Sequence, residues 1–259
     1  PSCNLKGEIK ILHIPLNKKC VVGFLNKSNS FYVLKLLSLA CNMCLKGLGS
    51  AIITCPVHKG IMNSSGFHFS GHTEFLKNYF CKKHVVMMLV TSKLKVALVT
   101  THIPLREVSS KIKKENIIKK VKIIDRFYKN KFKLKPKFGI LGLNPHNFLH
   151  TKKTEEQIII CKAINELKKI RINVSGPIPT DSSFMHQNIK DLNVIIGMYH
   201  DQVLTPFKAI YNYDAINITL GLSFIRISPD HGVAQDIAGK NIAVATSMIE
   251  SIKFFNKIK

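Results

Sequence analysis

The chain has no tryptophan and few acids: 15 Asp and Glu stand against 39 Lys and Arg, a formal charge of +24. Such an excess raises nucleic-acid binding as a possibility, since clustered Lys and Arg neutralise phosphates. The lysines, however, are spread through every segment, with only a modest concentration at 111–137. Abundant Lys, Ile and Asn without Trp points to drift toward AT-rich codons, so nucleic acid is not the expected partner. Long apolar runs are missing too. None approaches the ~18 residues of a membrane span, so no membrane partner is expected. The first ten residues, PSCNLKGEIK, lack the apolar centre of a secretory signal, and a cytoplasmic location follows. The initiator Met is also absent, as in a fragment or a chain that has lost its start. Seven cysteines make an odd set without framework spacing, and Cys41-x-x-Cys44 has no second such pair. A structural zinc site normally takes four ligands, so these read as free thiols in a reducing cytosol. No GxGxxG follows a strand, which excludes the Rossmann fingerprint. Internal repeats and low-complexity linkers are lacking as well.

What remains is a chain of 259 residues, 46% hydrophobic, enough to bury a core in one or two domains. Apolar residues at helical spacing predict helices over 31–46, 73–82, 108–131, about 154–170 and 243–257. Short apolar runs predict strands at 50–54, 85–89, 95–100, 138–143 and 194–198, with a turn at PVHKG (56–60). Alternating strands and helices predict an α/β fold with a largely parallel sheet.

Three of these strands lead into histidines. His102 lies in THIPL, His146 in NPH and His200 in MYHDQ. A parallel sheet presents ligands at the carboxyl ends of its strands. Three imidazoles in equivalent places suggest a divalent metal site with open positions. Each histidine alone also reads as an ordinary surface or core residue.

Seven motifs, ITCPVHKGIMN (53–63), SGHTEFL (70–76), THIPLREV (101–108), GLNPH (142–146), GPIPTDSSF (176–184), MYHDQ (198–202) and NITLGLSFIRISPDHG (217–232), resemble the 4-hydroxythreonine-4-phosphate dehydrogenase family of vitamin B6 biosynthesis. They stand in the family's order with compatible spacing, from about Phe31 to the last helix. The resemblance implies an isocitrate/isopropylmalate dehydrogenase-like α/β fold, with two subdomains and a cleft between them. Residues 1–62 with 214–259 would form the cofactor-side subdomain, its N-terminal part missing. Residues 63–213 would form the central metal-binding and dimerisation subdomain. The implied reaction is oxidation of 4-phosphooxy-L-threonine by NAD or NADP to 2-amino-3-oxo-4-phosphooxybutanoate. That product loses CO2 to give 3-amino-2-oxopropyl phosphate.

By residue-by-residue carry-over, His102, His146 and His200 hold one divalent metal per site, divided between the subunits of a homodimer. Neutral imidazoles suit Zn²⁺ or Co²⁺, whereas Mg²⁺ prefers oxygen. Asp181 and Asp201 are the candidate catalytic groups, orienting ligands or relaying the proton; each also reads as a cap or an ion pair. His72, Thr73, Lys208, Asn217 and Arg226 match the substrate positions. Thr73 also reads as an N-cap, and Lys59 is a further candidate to face the cleft. His231, Gly232, Ala234 and Asn241, in HGVAQDIAGKNIA (231–243), resemble the adenosine-side loop of isopropylmalate dehydrogenases.

Departures from the family are visible too. The chain begins after the family's Pro/Gly-rich loop. Residues 147–151 replace a glycine- and glutamate-containing loop, and 210–215 lacks the family's glycines. Two other functions stay open: a related dehydrogenase of a phosphorylated sugar acid such as phosphothreonate, and a non-catalytic basic remnant that binds nucleic acid.

Overall fold

A computed structural model describes residues 8–16, 18–68, 71–82, 84–148, 153–185, 188, 190–211 and 214–258. The expectations for Cys3, Ser70 and loop positions 149–151 lie outside the described residues. The strands are β1 Ala51–Ile53, β2 Val86–Val90, β3 Lys95–Leu98, β4 Phe138–Leu141, β5 Val174–Ile178, β6 Val194–Gly197, β7 Ile216–Leu220 and β8 Ile225–Pro229. They form one sheet in the order β1-β8-β7-β2-β3-β6-β4-β5.

The sheet is mixed, which corrects the expectation of a largely parallel one. β3, β6, β4 and β5 run parallel, as do β1 and β8. β2 is antiparallel to both β3 and β7, and β7 to β8. The reason lies in the connections. Only residues 91–94 join β2 to β3, and only 221–224 join β7 to β8. Links that short close hairpins, whereas parallel neighbours need a dozen residues or more.

The helices are α1 Ser30–Leu45, α2 Lys59–Ser64, α3 His72–Tyr79, α4 Val108–Lys111, α5 Lys114–Phe132, α6 Cys161–Lys169, α7 Thr180–Ser183, α8 His200–Ile210 and α9 Thr246–Ile258. The turn expected at PVHKG instead starts α2, because His58 Nδ1 accepts from the Ile61 N–H and caps it. The single helix expected over 108–131 breaks into α4 and α5, since Ile112 takes an extended ψ of 117°. The helix expected from about 154 opens with a π-turn, Glu156–Ile160. α8 carries Pro206 inside it, a residue that hides the helix from a propensity reading.

Strand alternation builds two cores. Val86, Met88, Ile140, Ile196 and Ile218 face α5, α6 and α9. Met87, Leu89, Val96, Leu98 and Ile195 face Val203, Leu204 and Phe207 of α8. Central strands buried on both faces read as continuous apolar runs, which is why β2 and β6 were legible. At β7 and β8 the alternation changes meaning. Ile216, Ile218, Leu220 and Ile227 are buried in the first core. Asn217, Thr219, Arg226 and Ser228 share the opposite face, with Asn217 opposite Ser228 and Thr219 opposite Arg226. A polar stripe on an otherwise apolar sheet marks where a site is built.

The described cysteines Cys20, Cys41, Cys44, Cys55, Cys81 and Cys161 are free. Burial, then the neighbouring Cys44, pushes the Cys41 thiol up to about 11, so without a metal it stays protonated at neutral pH. Among the described residues no helix is long and apolar enough to cross a membrane.

Candidate active site

A cavity of about 440 Å³ lies over the polar stripe. Met87 and Leu89 of β2, Asn217 of β7 and Arg226 of β8 form its floor. His102 enters from the loop after β3, and His200 from the first turn of α8, which follows β6. Because β3 and β6 are parallel neighbours, their carboxyl ends share one sheet edge. The two imidazoles stand with ring centroids 5.7 Å apart.

Arg226 is 4% exposed. Its Nε and Nη2 donate to Thr54 Oγ1 at 3.1 and 2.7 Å, and Nη1 to Thr219 Oγ1 at 3.4 Å. One N–H on each Nη remains for a ligand, out of five guanidinium donors. Burial pulls its pKa down to about 10, while Glu74 favours the charged form, so the group is cationic at neutral pH. Lys59 and Lys208 add positive charge to the same cavity. Lys208 Nζ lies 3.1 Å from Asp230 Oδ2. Burial raises the Asp230 carboxyl, against the pull of Lys208. His72 feels both its burial and these cations. Burial, then Arg226 and Lys59, lower its pKa to about 4. Burial is the larger cause, and the part that comes from Arg226 and Lys59 is the sign of field that favours an anion.

His72 pairs that field with a pH effect. Its folded pKa lies below the ordinary 6.5, so its contribution is complete above about pH 6.5 and is lost as pH falls toward 4. Urea unfolding from pH 7.5 to 4.5 should show wild type losing up to about 3 kcal/mol relative to His72→Asn. A constant gap between the two proteins would show that His72 titrates normally.

The helix α3 begins here. Gly71 is its N-cap at φ 146°, so Thr73 sits inside the first turn rather than at the cap. Thr73 Oγ1 instead meets Thr219 Oγ1 at 3.3 Å. A Cβ on Gly71 would stand 3.0 Å from Glu74 Oε2, so a side chain there is excluded by φ and crowded by Glu74. Among the described residues, Asn217 Oδ1 is buried without a hydrogen-bond partner. An orphaned acceptor on the floor of a cavity is placed for a ligand donor.

Each predicted metal histidine has a carboxylate beside its Nδ1. The distances are 3.4 Å from His102 to Glu74, 3.6 Å from His146 to Asp181, and 2.7 Å from His200 to Asp201. His146 lies apart from the other two. It lines a neighbouring pocket with Asp181, Thr180 and Tyr199. Among the described residues, no three His, Cys, Asp or Glu side chains are grouped to hold a metal ion. His231 and Gly232 stand on the rim of the main cavity. Ala234 (φ 46°) and Asn241 (φ 56°) lie farther along the same exposed segment and do not line that cavity.

Two supporting residues gave no signal of their own in the sequence. Gln202 is buried; its Oε1 accepts from Met198 N at 2.6 Å, and its Nε2 donates to Gly142 O at 2.6 Å and Thr180 Oγ1 at 2.8 Å. It thereby ties the ends of β6 and β4 to α7. Glu156, fully buried in the π-turn, accepts from Leu143 N, Asn144 N and Asn144 Nδ2 at 2.7, 2.7 and 2.9 Å. It anchors the loop that carries His146 through three consecutive left-handed residues, His146, Asn147 and Phe148. Glu156→Ala should lower stability by about 3 kcal/mol, because buried N–H donors lose a charged acceptor. Equilibrium urea unfolding checks this, and a loss under about 0.5 kcal/mol, the range of ordinary surface changes, would contradict it.

The mixed sheet, the cation-lined cavity on its polar stripe and the strand-end imidazoles define an α/β enzyme for a small anionic substrate. A β-decarboxylating dehydrogenase from Thermococcus kodakarensis shares this fold at TM-score 0.53 and 12% identity, over 81% of this chain and 65% of that one. The chain belongs to the family described as pyridoxal phosphate biosynthetic protein PdxA, which matches residues 2–255. It is 43% identical over 255 residues to the 4-hydroxythreonine-4-phosphate dehydrogenase of Wigglesworthia glossinidia brevipalpis, covering 97% of this chain and 76% of that protein. The crystal structure of the Klebsiella pneumoniae enzyme of the same name superposes at TM-score 0.80 and 32% identity, over 92% of this chain and 73% of that one. The chain is thus an oxidoreductase-family protein of pyridoxine biosynthesis, as the motifs implied.

Proposed function

We propose that this chain oxidises 4-phosphooxy-L-threonine with NAD or NADP, aided by one divalent metal, to a β-keto acid that loses CO2. The observation that carries the reading is the cavity itself. Arg226, Lys59 and Lys208 surround an anion-favouring space beside the His102 and His200 imidazoles, 5.7 Å apart. Arg226 offers the substrate phosphate its free Nη edge, and Lys208 a point charge. The orphaned Asn217 Oδ1 accepts from a substrate donor.

The donor set fits a divalent ion with a preference for nitrogen, Zn²⁺ or Co²⁺ ahead of Mg²⁺. His102 and His200 would hold it from one chain, and His146, in its separate pocket, would complete the set on a second copy. When bound, the metal supplies Lewis acidity toward the substrate's secondary hydroxyl. Asp201 and Asp181 orient the histidines or take up the hydroxyl proton. Residues 1–62 with 214–259 serve the cofactor, through His231, Gly232, Ala234 and Asn241. Residues 63–213 serve the metal and a homodimer, with cytoplasmic residence.

Purified protein, given Zn²⁺, Co²⁺ or Mg²⁺ in turn, should reduce NAD or NADP with 4-phosphooxy-L-threonine, and EDTA should stop it. Faster turnover of phosphothreonate would move the substrate to the sugar-acid class. Salt-sensitive DNA binding with no metal uptake and no turnover would support the nucleic-acid reading.

A further inference from the structure

Glu74 has no assigned role, although it stands at the centre of the cavity's charged groups. It follows Thr73 in the first turn of α3. Its Oε1 lies 3.4 Å from His102 Nδ1, and its Oε2 side is packed against Gly71. The other two strand-end histidines repeat this relation, with Asp201 and Asp181 on the Nδ1 side. Three separate parts of the chain therefore place a carboxylate on the same ring nitrogen of three histidines. A carboxylate accepts but does not donate when ionised. Where the contact is a hydrogen bond, short at His200 and longer at His102, it selects the tautomer that carries the proton on Nδ1 and leaves the Nε2 lone pair open.

We infer that Glu74 is a positioning residue for His102, and that the three histidines act as a matched set whose Nε2 atoms face the metal. This rests on the metal reading above. The chemistry is that of a carboxylate bonded to the far nitrogen of a metal-binding imidazole, which fixes ring orientation and raises ligand basicity. The three pairs differ in tightness. His200 with Asp201 is a short hydrogen bond at 2.7 Å, whereas His102 with Glu74 is long at 3.4 Å. His146 with Asp181 stands at 3.6 Å, outside hydrogen-bond range. Catalytic hydrogen bonds are often long without ligand and tighten on binding. Glu74 is also the acid that favours the charged form of Arg226. One carboxylate thus sits beside the imidazole and adds negative charge to the field of the guanidinium proposed to bind phosphate.

The first test needs no metal. Histidine-selective ¹⁵N NMR of the full-length apoprotein at pH 8, with His102 assigned by its loss in His102→Gln, reads the tautomer. Wild type should show His102 protonated on Nδ1. Glu74→Ala should return it to the Nε2–H form that free imidazole favours. Wild-type His102 in the Nε2–H form, or no change in Glu74→Ala, would overturn the assignment. The second test is Co²⁺ affinity by calorimetry. Glu74→Ala should weaken it about 10- to 100-fold, and Glu74→Gln, which keeps an acceptor without charge, by less. Unchanged Co²⁺ affinity in a folded Glu74→Ala protein would also overturn it. If wild type itself binds no Co²⁺, the metal reading fails, while the apoprotein tautomer still decides the role of Glu74.

Discussion

His200→Ala should abolish metal-dependent turnover, a loss of at least about 10³-fold if the metal stabilises the developing alkoxide by several kcal/mol. The fold should survive. His200 opens α8 at the protein surface, with its side chain 37% exposed, and outside the two buried clusters. Circular dichroism and urea unfolding would show a native protein, and calorimetry would show weakened Co²⁺ uptake. Full activity in this variant would sink the metal assignment. The same variant also tests the shared site. His146 lies in its own pocket, apart from His102 and His200, so under the proposed three-histidine site a complete set needs two copies. A mixture of inactive His146→Ala and inactive His200→Ala proteins should regain activity after subunit exchange. Each heterodimer collects both lesions in one site and leaves the other intact, so recovery reaches up to about half per exchanged dimer by two-fold symmetry. Proven exchange without recovery would refute the division of ligands. The unmutated chain must turn over for the comparison to be read.

Arg226→Ala should raise the KM for the phosphorylated substrate by about 10²- to 10³-fold, the scale for truncating one partner of a buried charge pair. The KM for NAD or NADP should change far less, because the guanidinium lies on the sheet floor with Asn217, whereas of the proposed cofactor residues His231 and Gly232 reach only the rim and Ala234 and Asn241 do not line the cavity. The variant also leaves the Thr54 and Thr219 hydroxyls without their donor, a stability loss of about 1–2 kcal/mol. Arg226→Lys separates the two effects: it keeps a charge but loses the planar fork, so substrate binding should recover only in part. Equal losses for substrate and cofactor would place Arg226 in the service of the fold.

The sequence by itself determined the alternation of helices and strands, because buried parallel strands are written as unbroken apolar runs and amphipathic helices as a 3.6-residue period. β2, β3, β4 and β6 fall within two residues of their expected bounds. β5, β7 and β8 were not read as strands. In β5 the apolar pattern is broken by Ser175, Gly176 and Pro177, and in β7 and β8 it is broken by the polar residues that line the site. The motifs also named the family, because function confines those residues in kind and order. Only the tertiary structure decided direction and partnership. Strand polarity depends on which short connections close as hairpins, and that placed β2 antiparallel within a sheet expected to be largely parallel. It also separated histidines that look equivalent on paper. All three follow parallel neighbouring strands, yet loop geometry puts His102 beside His200 and leaves His146 in another pocket. Gln202 and Glu74 lie inside the motifs MYHDQ and SGHTEFL, but their partners, like those of Glu156, were not legible, since hydrogen bonds across 60, 28 and 13 residues of chain leave no periodic trace. Sequence patterns record which side chains are buried and which element carries them; the partner of a buried polar atom is fixed only when distant segments meet.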